Sequence, residues 1–275
     1  MRSVLLSRQT SVYGRSIYLA AREAGVPFDA VLLEKPAEWA LSKRIVHHLR
    51  SGSFLRASSG FARRGLRAVL VRLGMAQRQD PTTGENRLVG GEETLNLKEL
   101  CRRDGVPCPE VENHNSPESV ETLKELAPSV IVLGGTRILR APILSVPEVG
   151  ALNAHAGILP AYRGMNVIEW AIRQGDPVGI TVHFVDTGVD TGDIVRIVEV
   201  PLEPGDTIQI VRDRAHLIQA ESLAAVMKQI ERGEPLERRP QSKGEGKQYY
   251  RMTDEERAET EAILAEMRPE VIGRR

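Results

Sequence analysis

Residues 152–194 read LNAHAGILPAYRGMNVIEWAIRQGDPVGITVHFVDTGVDTGDI, and this stretch decides the fold. Its pattern predicts a strand end over 151–154, a loop broken by glycine and proline, a helix over 167–174 and a second strand over 180–185. Both strands run into loops that carry polar side chains. Polar loops at strand ends are typical of an α/β sheet whose site lies at that edge.

Three side chains of this stretch are candidates for catalysis. Asn153 and His155 lie two residues apart, so both point to one face of an extended strand end. Asp190 lies in the second loop. An amide that donates a hydrogen bond, an imidazole that transfers protons and a carboxylate can together support acyl transfer. Turn formation is the alternative for Asp186 and Asp190, because Asp-Thr-Gly is good turn chemistry, and we favour it for Asp186 only.

Length and composition exclude several classes of protein. With 275 residues the chain can bury a full core in one large domain, or in one domain with an appendage. It has 37 basic and 37 acidic residues, so no overall charge favours a nucleic acid or a membrane surface. Two cysteines without clustered ligands predict neither a disulfide framework nor a metal site. No apolar run approaches the roughly 18 residues of a membrane span, and we expect a cytoplasmic protein.

Alternation along the rest of the chain predicts a doubly wound, Rossmann-like α/β fold. The first strand, helix and strand form a β-α-β unit, and its first loop, RQTSVYGR, lacks the G-x-G-x-x-G pattern of dinucleotide sites. We predict Asp206 as the cap of a long helix and Thr253 in a capping box. The remaining predicted elements are strands over 3–7, 28–33, 107–111 and 130–133, helices over 13–23, 95–103, 117–126, 206–231 and 254–267, and a polar linker over 238–247.

A basic helical insertion over 34–86 interrupts this alternation. Its part over 34–80 has ten basic and three acidic residues, a formal charge of +7. One interpretation is a cationic surface for a phosphorylated or polymeric partner. The other, which we favour, is a pair of amphipathic helices over 37–50 and 54–73 with a solvated face, since arginines at helical spacing are common on ordinary surfaces. The predicted domains are a catalytic domain over 1–205, which contains the insertion, and a C-terminal helical extension over 206–275 that packs on it.

Two motifs resemble those of the folate-dependent formyltransferases. The first is VIVLGGTRILRAPILSVPEVGALNAHAGILPAYRG, residues 130–164, and the second is VHFVDTGVDTGDI, residues 182–194. That family includes glycinamide ribonucleotide, methionyl-tRNA and sugar N-formyltransferases. The likeness extends over 95–194, and the sequence QYYRMTDEE is similar to the tail of many members. It implies a Rossmann-like formyltransferase domain.

The resemblance implies roles for nine residues. Asn153 would hydrogen-bond the formyl oxygen, His155 would stabilise the oxyanion or deliver a proton, and Asp190 would orient His155 and relay the proton of the attacking amine. The formyl donor would be 10-formyltetrahydrofolate, bound as a co-substrate. Its pterin would lie along two loops, one after the strand over 130–133 and one before Asp190. The residues implied in that binding are Arg137, Ile138, Leu139, Asp186, Gly188 and Val189.

The resemblance also implies an acceptor, the primary amine of a small molecule such as an amino sugar nucleotide or an amino-acid-derived amine. The first loop lacks the glycine-rich phosphate cradle of glycinamide ribonucleotide enzymes, and the segment after 200 is shorter than the C-terminal domain of methionyl-tRNA enzymes. We therefore do not expect a nucleic acid partner. The residues Arg163-Gly164-Met165-Asn166 resemble the loop of sugar-type enzymes, and the basic insertion favours a phosphorylated acceptor. A homodimer is an assembly that the sequence leaves open.

Two other functions remain open at this point. One is hydrolysis of 10-formyltetrahydrofolate by water in the same site, and the other is a non-catalytic module that binds folate or nucleic acid through the arginine-rich insertion. Release of tetrahydrofolate only when an amine is present would separate a transferase from a hydrolase. We also predict His183 in the core or just behind the site, and His114 at the surface. Ala156-Gly157 stands where relatives have Pro-Ser, which reshapes this loop.

Overall fold

The computed structural model describes residues 1–35, 95–242 and 244–266. These residues belong to one compact unit, which joins the segment before residue 36 to the segment after residue 93. The predicted basic helices over 37–50 and 54–73 lie outside the described residues. Among the helices that are described, none is both long enough and apolar enough to cross a membrane.

Nine strands and seven helices make up the described part of the chain. The strands are β1 (Ser3–Arg8), β2 (Ala30–Glu34), β3 (Glu110–Val111), β4 (Val130–Gly134), β5 (Gly150–His155), β6 (Tyr162–Gly164), β7 (Gly179–Phe184), β8 (Ile194–Glu199) and β9 (Lys247–Tyr249). The helices are α1 (Val12–Glu23), α2 (Leu97–Asp104), α3 (Pro117–Leu126), α4 (Ala141–Leu144), α5 (Val167–Gln174), α6 (Ile208–Glu231) and α7 (Asp254–Glu266).

Seven of the strands form a central sheet in the order β3-β2-β1-β4-β5-β7-β8. The first five pair in parallel, and β7 and β8 join at one side in antiparallel orientation. The strand order reverses between β1 and β4, and in open α/β sheets a ligand crevice lies at the carboxyl ends of strands near such a reversal. β6 and β9 form a separate two-stranded sheet.

Alternate side chains of the strands enter two different cores. In β4, Val130 and Val132 pack into the first core, whereas Ile131 and Leu133 pack into the second. Helices α1, α2, α5 and α6 contribute to the first core, and α3 and α4 contribute to the second. Helices on both faces of a mostly parallel sheet confirm the predicted doubly wound α/β class.

Two local predictions are wrong, and one strand is missed. The cap of α6 is Thr207, whose side chain accepts a hydrogen bond from the Ile210 N–H at 3.2 Å, while Asp206 forms an ion pair with Arg214. His114 is fully buried, with its Nε2 at 3.1 Å from the Leu32 carbonyl oxygen and its backbone N–H donating to the Glu34 carboxylate at 3.1 Å. The strand β8 was not predicted, since edge strands with one solvated face alternate only weakly and IVRIVE mixes buried with exposed apolar positions.

Candidate active site

The ends of β5 and β7 bring the predicted catalytic residues to one place. Asn153 and His155 point to the same face of β5 as Ala151, which belongs to the second core. In the antiparallel register, Asn153 lies opposite His183 and His155 lies opposite Thr181. Four polar side chains therefore stand together where the parallel strands end.

His155 is held by a hydrogen bond to the backbone. Its side chain is buried, and its Nε2 lies 2.7 Å from the carbonyl oxygen of Tyr162. Because a carbonyl can only accept, Nε2 carries the hydrogen. The other nitrogen, Nδ1, lies 3.5 Å from Oδ2 of Asp190. Nδ1 is therefore the atom of His155 that is left to exchange a proton.

Asp190 lies against both histidine rings. Its φ of 54° is in the left-handed region, which aspartate adopts more readily than most residues. Oδ2 accepts a hydrogen bond from the Gly164 N–H at 3.0 Å, and Oδ1 lies 3.7 Å from Nε2 of His183. Gln241 donates to the carbonyl of Asp190 at 3.0 Å. These contacts place the carboxylate, which is 16% exposed, on the same side of the sheet as His155.

His183 adds a fourth functional group. It is 2% exposed, and its Nδ1 donates to the carbonyl of Phe184 at 2.7 Å. Burial lowers the pKa of His183, against the opposing effect of Asp190, so the ring is neutral. Its Nε2 lone pair then accepts a hydrogen bond from Nδ2 of Asn153 at 3.2 Å. The register of β7 against β5 sets His183 opposite Asn153, and this pairing identifies His183 as part of the site.

The arrangement can bind a carbonyl oxygen and move a proton. An amide nitrogen has two hydrogens, so Asn153 keeps one to donate after bonding His183. Nδ1 of His155 lies beside it, backed by the carboxylate of Asp190. A preorganised donor next to a titratable nitrogen and a carboxylate is the arrangement that acyl transfer to an amine requires.

The loop after β4, which carries three of the predicted folate-binding residues, is held from the far edge of the sheet. Arg137 donates through Nε to the buried Glu34 at 2.7 Å, and Asn115 donates through Nδ2 to the carbonyl of Ile138 at 3.0 Å. The Ile138 side chain is 70% exposed, whereas Leu139 is buried in the second core. These two contacts hold the loop, which presents the large apolar side chain of Ile138 outward.

The loop after β7 carries the other three predicted folate-binding residues, Asp186, Gly188 and Val189. Oδ1 of Asp186 accepts hydrogen bonds from the Gly188 N–H at 3.0 Å and from the Thr191 hydroxyl at 2.6 Å. Asp186 therefore closes a turn, which agrees with the favoured interpretation from its sequence. Val189 follows, partly buried, and leads directly into Asp190.

Gly157 makes room for the His155 contact. A Cβ at this position would lie 2.8 Å from the Tyr162 carbonyl oxygen and 2.9 Å from Nε2 of His155. Both distances are shorter than carbon atoms tolerate, so a side chain here would push the two partners apart. The loop that contains Ala156-Gly157 is accordingly closed by Thr181, whose hydroxyl donates to the Gly157 carbonyl at 2.7 Å.

The sequence of this chain is similar to those of known formyltransferases. Residues 97–227 match the family model described as formyl transferase. The methionyl-tRNA formyltransferase of Caldanaerobacter subterraneus subsp. tengcongensis is 39% identical over 140 residues, which are 50% of this chain and 45% of that protein. The protein of the same name from Geotalea uraniireducens is 34% identical over 141 residues, with the same two shares. The chain thus spans about half the length of the curated relatives it matches.

Comparison of the fold agrees with this result. Glycinamide ribonucleotide transformylase 1 from Symbiobacterium toebii superposes with a TM-score of 0.55 at 19% identity, over 88% of this chain and 95% of that one. A sugar N-formyltransferase from a Shewanella species superposes with a TM-score of 0.52 at 14% identity, over 96% and 88%. At such identities the likeness shows the fold alone, and it confirms the predicted Rossmann-like formyltransferase architecture.

Proposed function

We propose, because residues 97–227 match the formyl transferase family model, that the chain transfers a formyl group from 10-formyltetrahydrofolate to a primary amine. The observation that supports this most is the convergence of Asn153, His155 and Asp190 at the end of β5. In the reaction a bond forms between the amine nitrogen and the formyl carbon, and the bond from that carbon to the donor nitrogen breaks. The amine loses one proton and the departing donor nitrogen gains one, so that tetrahydrofolate leaves as a neutral amine.

Asn153 and His155 stabilise the negative charge that develops on the formyl oxygen as the amine attacks. Asn153 donates one N–H of its side-chain amide to that oxygen, and Nε2 of His183 accepts the other N–H. His155, protonated at Nδ1, adds a positive charge nearby, and the Tyr162 carbonyl keeps its ring in place. One preorganised donor of this kind contributes on the order of 10²–10³ in rate.

Asp190 takes part in both proton transfers of the proposed reaction. Its carboxylate lies 3.5 Å from Nδ1 of His155, so it stabilises the protonated ring. It also offers the nearest anionic oxygen to receive the proton of the attacking amine. The Gly164 N–H bonds one of its oxygens and fixes its orientation.

The residues fit a folate donor. The donor supplies an activated one-carbon unit at the formyl level. The loop with Arg137, Ile138 and Leu139 follows β4, and the loop with Gly188 and Val189 follows β7; β4 and β7 are the two neighbours of β5 in the sheet. Exposed Ile138 offers an apolar contact, and main-chain groups of both loops suit the hydrogen-bonding edge of a pterin. Asp186 supports the second loop through its turn.

The test of this function is formylation of an amine. We expect the full chain, given 10-formyltetrahydrofolate and a panel of primary amines, to yield a formamide detected by mass. His155→Ala should lower turnover at least about a hundredfold while folate still binds. Asp190→Asn should lower turnover and alter the pH profile, because a neutral amide neither stabilises the imidazolium nor takes up a proton.

Asp193→Asn serves as the matched control, since it makes the same change in the same loop outside the proposed set. Tetrahydrofolate released equally fast without any amine would identify a hydrolase. Unchanged turnover of His155→Ala would reject its assignment.

A small molecule is our first candidate acceptor. Arg163 of β6 places a guanidinium beside the site, where its Nη2 donates to Oε1 of Gln241 at 2.6 Å. A cation bonded there to a neutral amide suits a phosphorylated or otherwise acidic acceptor. Methionyl-tRNA is the second candidate, favoured by the names of the relatives. The same assay with amino sugar nucleotides and with methionyl-tRNA separates the two.

A further inference from the structure

The peptide of Ala154 lies between the two proposed catalytic residues of β5, at a point where the sheet opens. β4 pairs with β5 only as far as Leu152, whose partner is Val132. On the other side β7 continues along β5 to His155. Beyond Leu152, the edge of β5 that faces β4 has no strand to satisfy its backbone, and a buried carbonyl there needs another donor.

Two side chains supply that donor to the Ala154 carbonyl. The hydroxyl of Tyr13, from α1, donates to it at 3.1 Å, and Nε2 of Gln219, from α6, donates to the same oxygen. Gln219 is 4% exposed. The ring of His216 packs against the Tyr13 ring, with 5.6 Å between the centroids, and helps to orient it. Burial raises the pKa of the Tyr13 hydroxyl, which therefore stays a neutral donor.

We propose that Tyr13 and Gln219 are positioning residues for the transfer reaction, because they fix the Ala154 peptide and with it the backbone on either side. The inference rests on the proposed function. The Ala154 carbonyl belongs to the peptide that joins Ala154 to His155, so rotation of this peptide would turn His155 away from the geometry in which it and Asn153 meet one oxygen. A misplacement of about 1 Å at such a site costs on the order of 10²-fold in rate.

The two donors share one acceptor, and this predicts how their losses combine. After removal of either side chain, the other still bonds the Ala154 carbonyl and keeps the peptide in place. After removal of both, the carbonyl has neither donor and the peptide is free to reorient. The loss in the double variant should therefore exceed the product of the two single losses.

The experiment compares Tyr13→Phe, Gln219→Met and the double variant with a matched control, Tyr18→Phe. Tyr18 lies on the same helix, and its hydroxyl donates to Asp104 at 3.0 Å, so the control loses the same kind of bond elsewhere. We expect kcat to fall about threefold to tenfold in each single variant and more than about a hundredfold in the double. KM for 10-formyltetrahydrofolate should stay within about twofold, and the control should keep its kcat.

A second readout does not need activity. Peptide hydrogen exchange over 152–156 should be faster in the double variant Tyr13→Phe/Gln219→Met than in Tyr18→Phe and in either single variant, at comparable melting temperatures. Losses that simply multiply, together with exchange equal to the control, would overturn the inference. A wild-type protein that formylates no amine would instead contradict the proposed function, and the exchange data would still decide what holds Ala154.

Discussion

The protonation state of His183 decides which way the Asn153 amide faces. With its Nδ1 hydrogen on the Phe184 carbonyl, the neutral ring offers a lone pair to Asn153. A protonated ring would offer a second donor instead, and Oδ1 of Asp190, 3.7 Å away, would become its acceptor. Protonated His183 would then compete with His155 for one carboxylate. We therefore expect the reaction to require the neutral form of His183.

Substitution of His183 tests this requirement. His183→Gln keeps a side-chain oxygen that can accept a hydrogen bond from Asn153. His183→Leu removes the acceptor but fills the same space with an apolar side chain. We expect kcat to fall about tenfold or more in His183→Leu and distinctly less in His183→Gln, with little change in KM for the folate. Steady-state kinetics between pH 5.5 and 8 measure this. Equal losses in the two variants would show that packing, and not the hydrogen bond, matters at this position.

Among the elements, the small β6–β9 sheet supports both candidate catalytic groups. The Tyr162 carbonyl of β6 bonds His155, and the Gly164 N–H bonds Asp190. β9 pairs with β6 in parallel, and the Tyr249 ring stacks on Tyr162 with 5.1 Å between centroids. The predicted polar linker over 238–247 carries Gln241, which donates to the Asp190 carbonyl, and its last residue begins β9.

Two glycines before β9 offer a matched test of this support. Gly246 has a φ of 74°, and a Cβ there would overlap the Pro160 carbonyl, whereas Gly244 has a φ of 92° and faces open space. Both alanine variants incur backbone strain. Only Gly246→Ala should also push β9 away from the β6 region, with a lower melting temperature and a kcat reduced about tenfold. Equal behaviour of the two variants would mean that the contact with Pro160 does not position the site.

At the scale of the whole molecule, histidines with buried or partly buried side chains link stability to pH. Burial lowers the pKa of His114, His183 and His216 below their ordinary 6.5. Between the lowered native values and 6.5, the unfolded chain binds protons that the native protein does not. The stability associated with these groups is thus fully present above about pH 6.5 and is lost as the pH falls through the native values.

Urea unfolding at pH 7.5, 6.5 and 5.5 measures this linkage. Each histidine contributes a slope of at most about 1.4 kcal/mol per pH unit, so the three give at most about 4 kcal/mol per unit just below pH 6.5. His216→Gln should reduce the slope, because one group no longer titrates on unfolding. A free energy of unfolding that stays constant from pH 7.5 to 5.5 would contradict the prediction.

The sequence by itself determined the features that depend on neighbours a few residues apart. The helix Val167–Gln174 has the predicted bounds, and Thr253 and Glu256 form the predicted capping box. Periodicity and capping act over one helical turn, so they are visible in any short window of the chain. The doubly wound class follows from the same local alternation.

Only the tertiary structure decided which groups meet at the end of β5. The contacts of His155 with the Tyr162 carbonyl and of Tyr13 and Gln219 with the Ala154 carbonyl involve backbone oxygens, which every residue possesses. No residue type in the sequence marks such an acceptor. Strand register and the packing of α1 against α6 bring these atoms together, because they are set by burial across the whole core and not by the local chain.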